Sequence, residues 1–119
     1  MNESSFINDD ADGTKVCAVI VTFNPDLNAV TALIRAIKNQ VALIVVIDNA
    51  SQINHADELG ALGADHVRNK DNEGLAAGFN AGIQWALSRR ASHVILFDQD
   101  SLPSSDMVSR LLSAEQRLL

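Results

Sequence analysis

Four short runs of apolar and β-branched residues, each closing on polar residues, constrain this sequence more than any other feature. The first is Val16-Cys17-Ala18-Val19-Ile20-Val21-Thr22-Phe23. Leu43-Ile44-Val45-Val46-Ile47 is closed by Asp48-Asn49-Ala50-Ser51, and His93-Val94-Ile95-Leu96-Phe97 by Asp98-Gln99-Asp100. A shorter run, His66-Val67-Arg68, lies between these two. Such runs fit strands buried on both faces, which occur where helices cover a parallel sheet. The segments between them carry the helical period instead. Pro25 and Asp26 open a helix with Val30, Leu33, Ile34 and Ile37 on one stripe. A weaker helix over residues 55–62 is limited by Gly60 and Gly63. Leu75, Phe79, Gly82, Ile83 and Ala86 mark a helix running to about Arg90. Ser104 or Ser105 is placed to cap a last helix bearing Met107, Val108, Leu111, Leu112 and Leu118. Strand and helix signals thus alternate through the chain. The pattern predicts an α/β fold, a Rossmann-like, doubly wound parallel sheet with right-handed crossovers and helices on both faces.

In open sheets of this kind ligands bind beyond the carboxyl ends of the strands, where the strand order reverses. Polar residues stand at those ends here: Thr22 and Asn24, Asp48 and Asn49, then Asp98 and Asp100. Far apart in sequence, they are expected to meet at one edge.

Composition narrows the partners. Nine Lys and Arg against 15 Asp and Glu give a net charge of −6, which argues against a broad basic surface for nucleic acid or anionic lipid. Four of the acids and no base fall in residues 1–14, and removing those four charges leaves −2 for residues 15–119. The first fourteen residues are therefore read as a disordered acidic tail and the rest as one folded unit. A lone Cys17 excludes a disulfide framework, and no Cys/His cluster suggests structural zinc. The longest apolar run, Val41 to Ile47, is far short of the roughly 20 residues that span a bilayer. With no signal peptide visible, the expectation is a cytoplasmic protein.

Each motif admits two readings. Asp98-Gln99-Asp100 offers two carboxylates after a buried strand, a donor set suited to a hard divalent cation shared with phosphate oxygens; it is also an acceptable solvated turn before Pro103. Asp48 can accept a hydrogen bond from the ring N–H of a pyrimidine, or simply shape the Asp-Asn-Ala-Ser turn. Gly74, Gly78 and Gly82 recur every four residues, at a helix-stability cost of about 1 kcal/mol for each interior position. Tight packing on the sheet accounts for Gly82, whereas Gly74 at the helix start suits approach of a phosphate. Asn80 is either a buried strut or solvent-facing. Trp85 and Cys17 read as core, and His55, His66 and His93 are given no catalytic role.

Val-Thr-Phe-Asn-Pro at residues 21–25, Ile-Asp-Asn-Ala-Ser at 47–51, Asn-x-Gly-x-Ala-x-Gly-x-Asn-x-Gly at 72–82 and Asp-Gln-Asp-Ser at 98–101 occur in that order. Together they resemble the amino-terminal half of a family 2 glycosyltransferase with the GT-A fold, and within it the bacterial rhamnosyltransferases. The resemblance covers residues 15–119. It implies that Thr22 and Asn24 line a nucleotide pocket and that Asp48 holds the base, thymine. Asn72 and Gly74 would sit beside the nucleotide, Asp98 would reach the ribose or sugar, and Asp100 would bind Mg²⁺ or Mn²⁺. The implied donor is a dTDP-sugar, dTDP-L-rhamnose, transferred with inversion to a polysaccharide or lipid-linked acceptor. The general base is expected beyond residue 119, so residues 15–119 read as a donor-binding subdomain stopping before the acceptor half, with little activity alone. Self-association through an uncovered edge is expected, as is a place at the inner membrane face open to a full-length enzyme. Two other classes compete: a haloacid-dehalogenase-type phosphohydrolase, whose Asp-x-Asp would normally open the domain, and a non-catalytic interaction module.

Overall fold

The computed structural model of the chain describes residues 13–118; the segment read as an acidic tail lies outside the described residues as far as residue 12. The elements follow in the order β1 (Val16–Thr22), α1 (Leu27–Ile37), β2 (Leu43–Asp48), α2 (Ala56–Ala61), β3 (Asp65–Arg68), α3 (Leu75–Ser88), β4 (His93–Asp98) and α4 (Met107–Leu118). The strands form one sheet in the order β3-β2-β1-β4, and every pair is parallel. Successive steps from β1 to β3 move one way, and β4 then returns to the other side of β1. The order therefore reverses between β1 and β4, the place where such folds open a crevice.

The unbroken apolar character of β1 follows from its central position, where every residue is buried. Alternate side chains enter different layers. Val16, Ala18 and Ile20 pack with Val30, Leu33, Ile34 and Ile37 of α1 and with Val108 of α4. Cys17, Val19 and Val21 face the opposite way and, together with Val45 and Ile47 of β2, pack with Ala86 of α3. Helices thus cover both faces, as the pattern predicted. Burial pushes the Cys17 thiol up to about 11, leaving it a neutral, inert core group. Trp85 is only half-buried: one face meets the second layer, and the Arg89 guanidinium lies 3.8 Å from its ring centroid.

The glycines on α3 have a steric cause. A Cβ at Gly82 would come within 2.2 Å of Val19 Cγ1, and one at Gly78 within 2.7 Å of Val21 Cγ1. The helix therefore rides directly on β1. Asn80 faces solvent. The short α2 stops at Leu62 because Gly63 follows with φ +99.

The cap of α4 differs from the expected serine. The Ser104 hydroxyl donates to Asp106, while Gln40, from the α1–β2 connection, accepts the Val108 N–H at 3.0 Å. The Gln40 amide also donates to the Ala36 and Ser104 carbonyls. One distant carboxamide therefore replaces a local cap. At the other side of the sheet β4 is an edge strand, with Leu96 44% exposed.

Candidate functional site

The parallel register places the expected residues in one line. Thr22 pairs with Asp48, and Asp48 with Arg68, so three polar residues form the last row across β1, β2 and β3. On the other flank Val21 pairs with Asp98. The ladder runs through both aspartates, which are the final strand residues and not the first loop residues, because Thr22 and Val21 still offer them a paired neighbour. Asn49 N–H extends the pairing once more by donating to the Thr22 carbonyl at 2.8 Å.

Above this row the loops are tied to one another. Gln99, after β4, accepts the Phe23 N–H at 2.8 Å, joining the β4 and β1 loops. The Asn24 N–H donates to Ser51 Oγ at 2.8 Å and its Oδ1 accepts the Gln52 N–H, joining the β1 and β2 loops. Asn49 accepts from Asn69 Nδ2 at 2.9 Å and donates to the Gly74 carbonyl at 3.0 Å, which brings in the β3 loop and the start of α3. Two corners hold left-handed backbone on non-glycine residues, Asn24 at φ +44 and Ala50 at φ +62. Asparagine tolerates that region and alanine does not, so Ala50 marks local strain. A recess of about 220 Å³ lined by Asn24, Ser51, Gln52, Ile53 and His55 opens beside these loops. A larger groove of about 550 Å³ follows α4 and is lined by none of the expected site residues.

Asp48 is the hub. It is 2% exposed; its Oδ1 accepts from Thr22 Oγ1 at 2.7 Å and from Ser51 Oγ at 2.5 Å, and its Oδ2 accepts the Ser51 N–H at 2.9 Å. Arg68 approaches Oδ2 at 3.6 Å and donates to the Ser51 carbonyl. Burial alone would raise the Asp48 pKa, but the hydrogen bonds from Ser51 and Thr22 outweigh it and hold the carboxyl below its ordinary value. Burial also lowers His66, although Asp48 pulls the other way. Thr22 is 1% exposed, so its hydroxyl supports the site through Asp48 and presents no free atom at the surface.

Asp98 and Asp100 are treated differently. Both are exposed, and neither carboxylate has a hydrogen-bond or ion-pair partner among the described residues. No group of three or more His, Cys, Asp or Glu side chains gathers to hold a metal among those residues. Two unpartnered carboxylates on one turn still fit Mg²⁺ or Mn²⁺, since such ions commonly take one or two carboxylates and fill the remaining positions with water and phosphate oxygens. Asn72 Oδ1 accepts the Gly74 N–H at 2.9 Å, so that amide is occupied. Gly74 itself sits at φ +92 with open space where a Cβ would stand, so conformation, not crowding, explains the glycine. The first-turn amides of α3 carry no side-chain cap.

All seven expected residues therefore lie in the loops or on the last rungs at the carboxyl edge. Sequence reasoning missed the ties between them. Gln99 stood only as the spacer of Asp-Gln-Asp, Arg68 only as a strand residue, and Asn69 not at all; Ser51 appeared as a turn former. A polar residue next to a strand-end aspartate was the available signal.

A parallel sheet in this order, with interlinked polar loops at its reversal, defines a Rossmann-like α/β domain. Within that class the chain belongs to glycosyl transferase family 2, whose profile matches residues 17–117. It is 36% identical over 99 residues to dTDP-rhamnosyl transferase RfbF of Shigella flexneri, covering 82% of this chain and 33% of that protein. The chain thus spans a third of that relative's length. The crystal structure of glucosyl-3-phosphoglycerate synthase from Mycobacterium tuberculosis, in complex with Mn²⁺, uridine diphosphate and glucosyl-3-phosphoglycerate, matches with a TM-score of 0.65. That match covers 87% of this chain and 40% of the synthase at 19% identity, a likeness of fold. Family membership sets aside the phosphohydrolase reading.

Proposed function

We propose that these residues are the donor-binding part of an inverting glycosyltransferase that uses a nucleoside diphosphate sugar, dTDP-L-rhamnose, and serves a polysaccharide or lipid-linked acceptor. The observation that carries the reading is the pair of unpartnered carboxylates, Asp98 and Asp100, beside β1 at the sheet's reversal. Family membership and the name of the 36% identical relative support the sugar and the nucleotide.

In this reading Asp100, with Asp98 toward the ribose or sugar, holds Mg²⁺ or Mn²⁺. The bound ion would neutralise charge on the departing nucleoside diphosphate. Asn24 and Thr22 shape the pocket after β1, Thr22 by fixing Asp48. Asp48 Oδ2 accepts one hydrogen bond at 2.9 Å and keeps acceptor capacity for a pyrimidine ring N–H, provided that Arg68 moves aside. Asn72 holds Gly74 in its left-handed turn and so orients the start of α3 toward the diphosphate. The general base that inversion requires is assigned to no described residue. The expected activity of the 119 residues is therefore donor binding without transfer.

Calorimetry with dTDP, with and without Mn²⁺, tests this. Binding that requires the metal, and that disappears in Asp100→Asn, is the expected result. Nucleotide binding indifferent to metal, or none at all, overturns the reading. The uncovered β4 edge, with Leu96 44% exposed, is proposed to favour self-association, which sedimentation at increasing concentration measures. No helix among the described residues is long and apolar enough to cross a membrane. A cytoplasmic site of action, peripheral to the inner membrane face in a full-length enzyme, is part of the same proposal.

A further inference from the structure

The carboxylates of Asp98 and Asp100 have no hydrogen-bond or ion-pair partner among the described residues, and their turn leaves an edge strand supported on one side only. Something else must fix where the two carboxylates stand. The residue between them reaches across the reversal. Gln99 Oε1 accepts the Phe23 N–H at 2.8 Å, and Gln99 Nε2 lies 3.4 Å from the Phe23 carbonyl oxygen. A carboxamide carries the same donor and acceptor as a peptide group. The last paired rung between β1 and β4 joins Val21 to Asp98. Gln99 therefore adds one more rung to the sheet with a side chain, at the point where the backbone of β4 has already turned away. The turn behind it closes by a Ser101 N–H to Asp98 carbonyl bond of 3.1 Å.

Phe23 is itself fixed. Its neighbour Asn24 donates to Ser51 Oγ, and Ser51 donates to the buried Asp48. A continuous line of contacts runs from the turn bearing the two carboxylates through Gln99, Phe23, Asn24 and Ser51 to the buried Asp48. We propose that Gln99 is a positioning residue for the cation and diphosphate site, holding Asp98 and Asp100 at a set place against the β1 loop. This rests on the reading of those aspartates given under Proposed function.

The test uses Gln99→Met, equal in length but without the amide, and Gln99→Ala as a second variant expected to behave alike. Mn²⁺ binding in the presence of dTDP is measured by calorimetry, and protection of the Phe23 amide by hydrogen exchange. The expected result is about tenfold weaker Mn²⁺ binding, the scale seen when a group supporting a metal ligand is removed, together with loss of Phe23 protection. Asp100→Asn should lose Mn²⁺ binding while keeping that protection. Were Mn²⁺ affinity within twofold of the native chain's in both Gln99 variants while Asp100→Asn lost it, the Gln99 inference alone would fall. Were the native chain to bind no Mn²⁺ with dTDP, the reading of the site would fall, and this inference with it. A merely structural role for Gln99 would change stability and leave the metal affinity where it was.

Discussion

Two carboxylates end neighbouring rows of one sheet and are handled in opposite ways. Asp48 is buried and accepts three short hydrogen bonds, whereas Asp98 is exposed and its carboxylate has no partner among the described residues, as is true of Asp100 two residues on. A buried charge is tolerated only when its acceptors are filled, so Asp48 is first of all a fastener for the β1 and β2 loops. A charge left in water carries no such obligation and stays available to a cation. The edge therefore combines a fixed end and a receptive end, bridged by Gln99, Phe23 and Asn24.

The contrast breaks most visibly at Asp48. Asp48→Ala should cost about 3 kcal/mol in urea unfolding, because Thr22, Ser51 and Arg68 lose a shared charged acceptor. A loss below about 1 kcal/mol would remove its role as a fastener. Removing one donor is milder: Thr22→Val should cost about 2 kcal/mol, the value of a hydrogen bond to a charged group. Acid offers a graded version. Asp48 titrates below the ordinary value when folded, so the unfolded chain takes up the proton first as pH falls. The stability Asp48 supplies is present above about pH 3.9 and is lost as pH drops through the lower, folded value. Asp48→Asn should lack this share of the acid limb in melting temperatures measured against pH. The smallest effect belongs to the receptive end. Asp98→Asn and Asp100→Asn should leave unfolding within about 0.5 kcal/mol of the native chain, and their consequence should appear only in metal-dependent nucleotide binding. A large stability loss there would erase the contrast.

The parts that were legible in the sequence are those governed by local pattern. The alternation of strand and helix, the two covered faces and the convergence of Asn24, Asp48, Asp98 and Asp100 followed from runs of apolar residues and from what parallel connections require. The close seat of Gly82 followed from its spacing. What stayed hidden were contacts between residues far apart in sequence. Gln40 caps α4 from 68 residues away, and Gln99 reaches Phe23 across 76. No periodicity announces which carboxamide will meet which backbone amide. The pairing of Thr22 with Asp48, 26 residues apart, was hidden for the same reason, although both were singled out as strand-end residues.

The seat of α3 has a reach beyond packing. At Gly78 a side chain would strike Val21 and come within 3.4 Å of Asn49 Nδ2, the atom that donates to the Gly74 carbonyl. Lifting the helix by the width of a methyl group would thus tilt its first turn at the rim, which the Gly78 N–H closes on the Gly74 carbonyl. The mouth of the cleft takes its shape partly from hydrogens standing where carbons would be, and a search for residues that tune it should include positions that never touch a ligand.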